Sequence, residues 1–261
     1  MKTMMKANYH THTARCMHAE GTEREYIEQA IARRLKLLGF SDHAPQVFDD
    51  GYVSGFRMLP EQLEDYVLTL QSLRQEYAGR IDLYIGLEAE YYPRYFDRLM
   101  KLIAPFHLDY LILGQHFIGN EGDGEPSCPR PTEDESRLER YVRQTTEALE
   151  TGLFSCFAHP DIFNFTGDEK IYRKWYEKLC LRAKELDIPL EMNLLGFSTG
   201  RHYPSKAFFQ IVGEVGNDVI LGCDAHAPGR VADPKEIADG LRFLQSCGVS
   251  RVTEQIKLRQ P

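Results

Sequence analysis

Short apolar runs alternate with longer amphipathic stretches along most of the chain. The short runs favour strands, whereas apolar residues in the longer stretches recur at the spacing of helices. Strands and helices that alternate in this way form a parallel sheet with helical connections. The predicted strands are 7–11, 39–42, 82–90, 110–116, 154–159, 189–193 and 219–224.

Capping and stop signals place six helices among these strands. The first is predicted from Thr22, where Glu25 completes a capping box, through Leu35 and Leu38 to a stop at Gly39. The same signals predict the other helices at 60–79, 132–152, 168–186, 204–216 and 234–248. Seven strand-and-helix units, with no internal repeat or linker, predict an α/β fold: a closed or distorted (β/α)7 barrel in a single domain, 1–261.

Charge and composition narrow the functional class. The chain has 31 Lys and Arg residues against 39 Asp and Glu residues, and a net charge of −8 argues against nucleic acid or membrane surfaces as partners. No run approaches the roughly 18 apolar residues of a membrane helix, and the start of the chain lacks an apolar signal segment. The six cysteines are scattered without a C-x-x-C pair, which favours a reducing compartment. We therefore expect a cytoplasmic protein.

Nearly every predicted strand ends in a side chain that can bind a metal ion. A lone histidine after a strand is more often structural, but the same coincidence at five strand ends favours one shared site. The C-terminal strand ends of a β/α barrel meet on one face, so these side chains become neighbours. His10 and His12 point to the same side of an extended segment, and Glu88 can bridge two cations. The candidate ligands are His10, His12, His18, His43, Glu88, His116, His159, Asp224 and His226.

Two further features border this predicted site. Glu90 lies on the same face as Glu88, and we interpret it, in preference to a ligand, as either a hydrogen-bond acceptor that supports a ligand or a surface charge. The segment 119–131 is rich in glycine, proline and acidic residues, so it is predicted to be a long loop and is a candidate lid.

The motifs that contain these residues resemble the PHP (polymerase and histidinol phosphatase) superfamily of metal-dependent phosphoesterases, and within it the histidinol-phosphate phosphatase branch. The matching motifs are H-T-H at 10–12, followed by His18, S-D-H at 41–43, G-L-E-A-E at 86–90, G-Q-H-F at 114–117, A-H-P-D at 158–161 and C-D-A-H at 223–226. The resemblance spans almost the whole chain and implies a distorted (β/α)7 barrel with three metals. It implies one ion at His10, His12, Glu88 and Asp224, a second at Glu88, His116 and His159, and a third at His18, His43 and His226.

The chain departs from the family pattern at two positions. Asn8 precedes the first motif where many members have aspartate, and the run from Asn193 to Gly196 replaces the common N-T-S-G. Neither change removes a ligand, but the second affects the expected substrate region. We expect Asn193, Arg201, His202 and Tyr203 to contact the substrate, with Arg201 as a catalytic clamp, because a guanidinium matches two phosphoryl oxygens.

The resemblance predicts a metal-dependent phosphomonoesterase that hydrolyses L-histidinol phosphate in histidine biosynthesis through a metal-bridging hydroxide. Imidazole-rich ligation favours two or three ions of zinc, manganese or iron. Asp161 is a candidate catalytic acid, and alternatively it orients His159. Two functional alternatives remain: hydrolysis of another small phosphate ester, nucleotide or phosphotyrosine, and a non-catalytic metal-binding regulatory module. The expected partner is a small phosphorylated substrate, and the sequence does not indicate an oligomeric state.

Overall fold

A single parallel sheet forms the centre of the computed structural model, which describes residues 5–261. Its strands are paired in the order of the chain, and all seven predicted strands are present, most of them shorter than predicted. The eighth, β8, was not predicted because two residues give no periodic signal. The strands are β1 Ala7–Asn8, β2 Leu37–His43, β3 Asp82–Ala89, β4 Tyr110–Leu113, β5 Phe154–Phe157, β6 Leu190–Asn193, β7 Val219–Gly222 and β8 Val252–Thr253.

The sheet curls so that the segments after β1 and β7 meet. Thr11 and Ala225 form a parallel bridge just beyond the two strands. The amide of His12 donates to the carbonyl of Ala225 at 3.0 Å, and the amide of Ala225 donates to the carbonyl of His10 at 3.3 Å. The predicted proximity of the first and last ligand motifs is therefore confirmed.

Helices cover the outside of the curled sheet. Most of them begin at a side chain that accepts a backbone hydrogen bond: Thr22 forms the predicted capping box, and Asp168 caps a later helix. Helices α3 and α6 were not predicted, because each is too short for a clear helical period. The helices are α1 Glu23–Ala32, α2 Leu63–Glu76, α3 Phe96–Ile103, α4 Glu135–Glu150, α5 Glu169–Glu185, α6 Leu194–Ser198, α7 Lys206–Val215 and α8 Pro234–Ser246.

The predicted end of the first helix was wrong. The helix stops at Ala32, and Arg34 takes the left-handed conformation with φ of 65° before β2 begins. Leu38 is buried as part of the strand. Gly39 also lies within β2, where a Cβ atom would sit 2.3 Å from the hydroxyl of Tyr110. Gly39 is therefore needed for close packing across the sheet and does not end the helix.

The two faces of the sheet pack into different cores. In β4, Leu111 and Leu113 belong to the large core beneath the helices, whereas Tyr110 and Ile112 belong to a small cluster on the other face. This alternation is typical of barrel strands. Residues 119–131, all within the described part of the chain, contain neither helix nor strand, which confirms the predicted loop. No helix among the described residues is long and apolar enough to cross a membrane.

Candidate metal centre

Four donor atoms meet where the segments after β1 and β7 come together. Nε2 of His10 lies 3.2 Å from Nε2 of His12, 3.5 Å from Oε2 of Glu88 and 3.4 Å from Oδ1 of Asp224. Nε2 of His12 lies 3.5 Å from the same Glu88 oxygen and 3.1 Å from the same Asp224 oxygen. These are the residues that the family resemblance groups around one ion.

Glu88 lies at the centre of the cluster. Its Oε1 accepts a hydrogen bond from Nε2 of His159 at 2.8 Å and lies 4.0 Å from Nε2 of His116. Its Oε2 lies 3.0 Å from Nδ1 of His43. Gly114 makes room for this carboxylate, because a Cβ atom there would lie 1.8 Å from Oε1. The two oxygens of Glu88 therefore face different groups of histidines.

A third group lies nearer the solvent. Ring nitrogens of His18, His43 and His226 lie within 4.8 Å of one another, and Nε2 of His18 is 2.9 Å from Nε2 of His226. Cys16, which the sequence did not indicate as a ligand, is buried beside them, within the same distance of His12 and His226. The structure thus brings all nine candidate ligands into one cluster.

The donor atoms are arranged as metal ligands are. In the pairs His10 with His12 and His18 with His226, the two Nε2 atoms face each other. Each Nδ1 in these pairs contacts a carboxylate or a backbone carbonyl, which can only accept a hydrogen bond. In the neutral rings the proton is therefore on Nδ1, and both Nε2 lone pairs point at the space where a cation would bind. Oε2 of Glu88 and Nδ1 of His159 are buried and make no hydrogen bond within the described residues. Donors bound to one tetrahedral ion at about 2.1 Å lie roughly 3.4 Å apart, close to the separations in the first group. The residues present therefore fit divalent cations.

The protonation states also suit cation binding. Burial raises the pKa of Glu88, but the charges of His43 and His10 lower it by more than burial raises it. The pKa of Glu88 therefore lies well below its usual range. Burial and the charge of His12 lower the pKa of His226 to about 3. Burial lowers the pKa of His10, but the carboxylates around it raise the net value to about 10. The carboxylate is thus ionised and His226 is neutral at pH 7, whereas His10 must lose a proton to bind an ion.

Three buried carboxylates behind the cluster orient its histidines. Nδ1 of His10 donates to Glu191 at 2.7 Å, Nδ1 of His12 lies 3.3 Å from Asp42, and Nδ1 of His116 donates to Glu90 at 2.9 Å. These contacts direct Nε2 of each ring into the cluster. Of the two interpretations of Glu90 from the sequence, the supporting hydrogen-bond acceptor agrees with this contact, and the surface charge does not, because Glu90 is buried. The sequence did not reveal Glu191, although it lies on the same face of β6 as Asn193.

The backbone is strained at two of the candidate ligands. His159 has φ of 31° and Asp224 has φ of 48°, both in the left-handed region that most side chains avoid. Each residue lies two positions beyond the end of its strand. Strained conformations of this kind concentrate at functional sites, where the surrounding structure holds them.

A cavity of about 340 Å³ opens over the cluster. Seven of the nine candidate ligands line it, as do Arg201 and Tyr203, and Nη1 of Arg201 donates to the Tyr203 hydroxyl at 2.5 Å. The remaining residues of its lining are apolar and form the apolar wall of the cavity: Phe56, Pro129, Ile162 and Leu195.

Three predicted site residues make other contacts and, in the described part of the chain, are not among those that line the cavity. Asn193 donates to Asp224 at 3.1 Å and thus supports a candidate ligand. Nε2 of His202 donates to a backbone carbonyl at 2.8 Å. Asp161 accepts a hydrogen bond at 2.6 Å from the amide of Ser205, and burial raises its pKa to about 7. The substrate contacts of Asn193 and His202 and the catalytic role of Asp161 stay predictions.

Imidazoles and carboxylates cluster at the strand ends of a parallel β/α barrel. This arrangement is typical of the active sites of metal-dependent hydrolases. The family model of the PHP domain matches residues 8–195. A probable histidinol-phosphatase of Deinococcus radiodurans is 31% identical over 264 residues, which cover 97% of each chain. A probable histidinol-phosphatase of Schizosaccharomyces pombe is 24% identical over 94% of this chain and 88% of its own length. The chain belongs to the PHP domain family, as its motifs predicted.

A solved structure confirms the predicted fold class. The histidinol phosphate phosphatase of Lactococcus lactis, in complex with zinc, L-histidinol and phosphate, superposes with a TM-score of 0.73. The match covers 97% of this chain and 99% of that chain, at 19% sequence identity. The likeness establishes a shared distorted barrel.

Proposed function

We propose that the protein is a metal-dependent phosphomonoesterase that hydrolyses L-histidinol phosphate to L-histidinol and phosphate in histidine biosynthesis. The observation that carries this proposal is the single cluster of nine donor side chains beneath a cavity that also exposes Arg201. The names of the relatives from Deinococcus radiodurans and Schizosaccharomyces pombe support the substrate.

Two or three divalent ions of zinc, manganese or iron would be held in the groups described above. Glu88 would be shared between groups, because its two oxygens face different histidines. When bound, such ions supply positive charge for the phosphoryl oxygens and lower the pKa of water. The residues of the chain keep the ligand lone pairs directed inward and exclude water behind the cluster, where Glu191 and Asp42 are fully buried.

Arg201 is placed to bind the phosphoryl group of the substrate. It is the only lysine or arginine among the described residues that line the cavity, and its guanidinium is held by the Tyr203 hydroxyl. A guanidinium fork can donate to two phosphoryl oxygens as charge develops on them in the transition state. The catalytic role of Arg201 and the substrate contact of Tyr203 therefore belong to the proposal.

The leaving group would lie against the apolar wall. Phe56 packs edge-on against the rings of His43 and His116, with centroid distances of 5.2 and 5.7 Å, so its position is fixed relative to the proposed ligands. Leu195 lines the same cavity. An aromatic ring can accept the flat imidazole of histidinol in an offset or edge-on arrangement.

The test is phosphate release from L-histidinol phosphate by protein loaded with manganese or zinc, beside a panel of other phosphate monoesters. His116→Asn should abolish release. His107→Asn is the matched control, because His107 is exposed, lies outside the cluster, and has a left-handed φ of 49° that asparagine tolerates. Activity confined to another ester would support the proposed metal-dependent hydrolysis but refute L-histidinol phosphate as the substrate. No release from any ester by protein that binds the metals would favour a regulatory module.

The expected cytoplasmic location, the expected absence of nucleic-acid or membrane partners, and the single domain stay predictions.

A further inference from the structure

Arg57 is a buried arginine close to the candidate metal centre. It follows β2 in an irregular segment, and only 2% of its surface is exposed. Its Nη2 donates to Glu90 at 3.1 Å and to Glu121 at 2.5 Å, its Nε donates to Glu121 at 3.1 Å, and its Nη1 donates to the carbonyl of Ala44 at 3.2 Å. A guanidinium is costly to bury, so such complete pairing indicates a specific role.

The contacts of Arg57 lead directly to one candidate ligand. Oε1 of Glu90 accepts from Arg57 and also from Nδ1 of His116, at 2.9 Å. Nδ1 of His116 must therefore carry the proton, which leaves the lone pair on Nε2. Nε2 is the atom that faces Glu88 and the rest of the cluster. Arg57 and His116 thus hold the same carboxylate oxygen from two sides.

The buried group carries an excess of negative charge. Glu90 and Glu121 together bring two negative charges, and Arg57 brings one positive charge. Hydroxyl groups satisfy the remaining oxygens: Tyr92 donates to Glu90, and Tyr52 donates to Glu121 at 3.1 Å. The excess negative charge lies next to Nδ1 of His116. A carboxylate that accepts a hydrogen bond from this nitrogen increases the basicity of the imidazole, so the imidazole binds a cation more strongly.

Arg57 also joins two segments that border the cavity. Its neighbour Phe56 lines the cavity, and the guanidinium carbon of Arg57 lies 4.4 Å from the centroid of that ring. Glu121 belongs to the loop 119–131, which contributes Pro129 to the cavity lining. The same guanidinium therefore contacts both segments and the carboxylate that orients His116.

We propose that Arg57 is a positioning residue that fixes Glu90 on His116, so that Nε2 of His116 stays directed at the metal centre. Because Arg57 also pairs with Glu121, the position of the loop 119–131 is coupled to metal binding at His116. This inference rests on the proposed metal centre and is independent of the substrate.

The test measures metal binding without any substrate. Cobalt(II) is titrated into metal-free protein, followed by its visible absorption, and bound ions are counted by native mass spectrometry. In Arg57→Met, the ion at His116 should bind ten- to a hundredfold more weakly, in the range typical of lost supporting contacts. Arg74→Met is the matched control, because Arg74 forms a half-buried ion pair with Asp109 away from the cluster, and it should bind cobalt as the wild type does.

A second pair of variants separates positioning from stability. Arg57→Met leaves the Glu121 charge buried and unpaired, so adding Glu121→Gln should restore much of the lost thermal stability. The cobalt affinity should stay low in this double variant, because Glu90 still lacks its cation. Recovery of both properties together would show that Arg57 acts only on stability and would overturn the inference.

Glu90→Gln tests the same series of contacts from Arg57 through Glu90 to His116, while Arg57 stays paired with Glu121. It should also weaken the ion at His116 by at least tenfold, and wild-type cobalt affinity in this variant would overturn the inference. A protein that shows the expected cobalt pattern but releases no phosphate from L-histidinol phosphate would refute the proposed substrate and leave the role of Arg57 supported.

Discussion

Gly114→Ala should disable the metal centre by adding a single methyl group. The added Cβ would lie 1.8 Å from Oε1 of Glu88 and 2.5 Å from its Cδ and Cγ. Ordinary contact distances are about 3.5 Å, so the carboxylate would have to retreat by roughly 1.5 Å. The backbone of Gly114 is outside the left-handed region, so alanine adds no backbone strain there. The three nearest atoms all belong to Glu88, so the substitution acts first on the position of that side chain.

The expected loss in Gly114→Ala can be estimated from that displacement. A misplacement of about 1 Å at a reacting centre costs ~100-fold in rate, so kcat/KM for L-histidinol phosphate should fall by at least that factor. This is about 2.7 kcal/mol of transition-state stabilisation. The overpacking itself should lower the free energy of unfolding by about 1–3 kcal/mol.

The assays are phosphate release, metal content and denaturant unfolding, all on the same preparations. Gly55→Ala is the control, because no described atom beyond its two chain neighbours lies within 4 Å of the Cβ it would add. Full activity and full metal content in folded Gly114→Ala would refute the assigned position of Glu88 and the central role that we give to it.

Four further predictions concern the cluster and its surroundings. Glu191→Gln should weaken metal binding by about ten- to a hundredfold in a chelator competition, because His10 loses the carboxylate on its Nδ1. Metal binding at pH 7.5 should release protons, measurable by calorimetry in buffers of different ionisation enthalpy, because the pKa of His10 in the metal-free protein is about 10. This raised pKa should stabilise the metal-free fold below about pH 6.5, and the gain should disappear as pH rises through about 10, which denaturant unfolding would detect. Phe56→Ala should raise KM for L-histidinol phosphate about tenfold but leave KM for a small alkyl phosphate unchanged, because the larger leaving group would lose its wall.

The strand ends and their ligands were predictable because they depend on local signals. His10 and His12 share a face by the alternation of an extended segment, and the barrel topology then brings them to Asp224 whatever the intervening sequence. The apolar runs were equally clear. The end of the first helix was not, because Leu35 and Leu38 continue the helical spacing while the chain has already turned at Arg34.

The supporting residues were harder to predict, because their roles depend on contacts distant in sequence. Glu191 meets His10 across 181 positions, and a single glutamate within a strand does not reveal that partner. Arg57 lies in a segment with no periodic pattern, so its path into the interior cannot be derived from spacing. Glu121 appears in the sequence as one of several acidic residues in a polar loop, yet it is only 3% exposed.

The proposed metal centre and the closure of the barrel involve the same part of the chain. The segments after β1 and β7 are joined by two backbone hydrogen bonds around Thr11 and Ala225. His10 and His12 flank Thr11, and Asp224 directly precedes Ala225. An ion shared by these three side chains would therefore cross-link the two segments at the point where they are joined by few backbone contacts. Ligand binding would therefore stabilise a sparsely bonded junction of the sheet, and the position of the site would couple closure of the barrel to occupation of the centre.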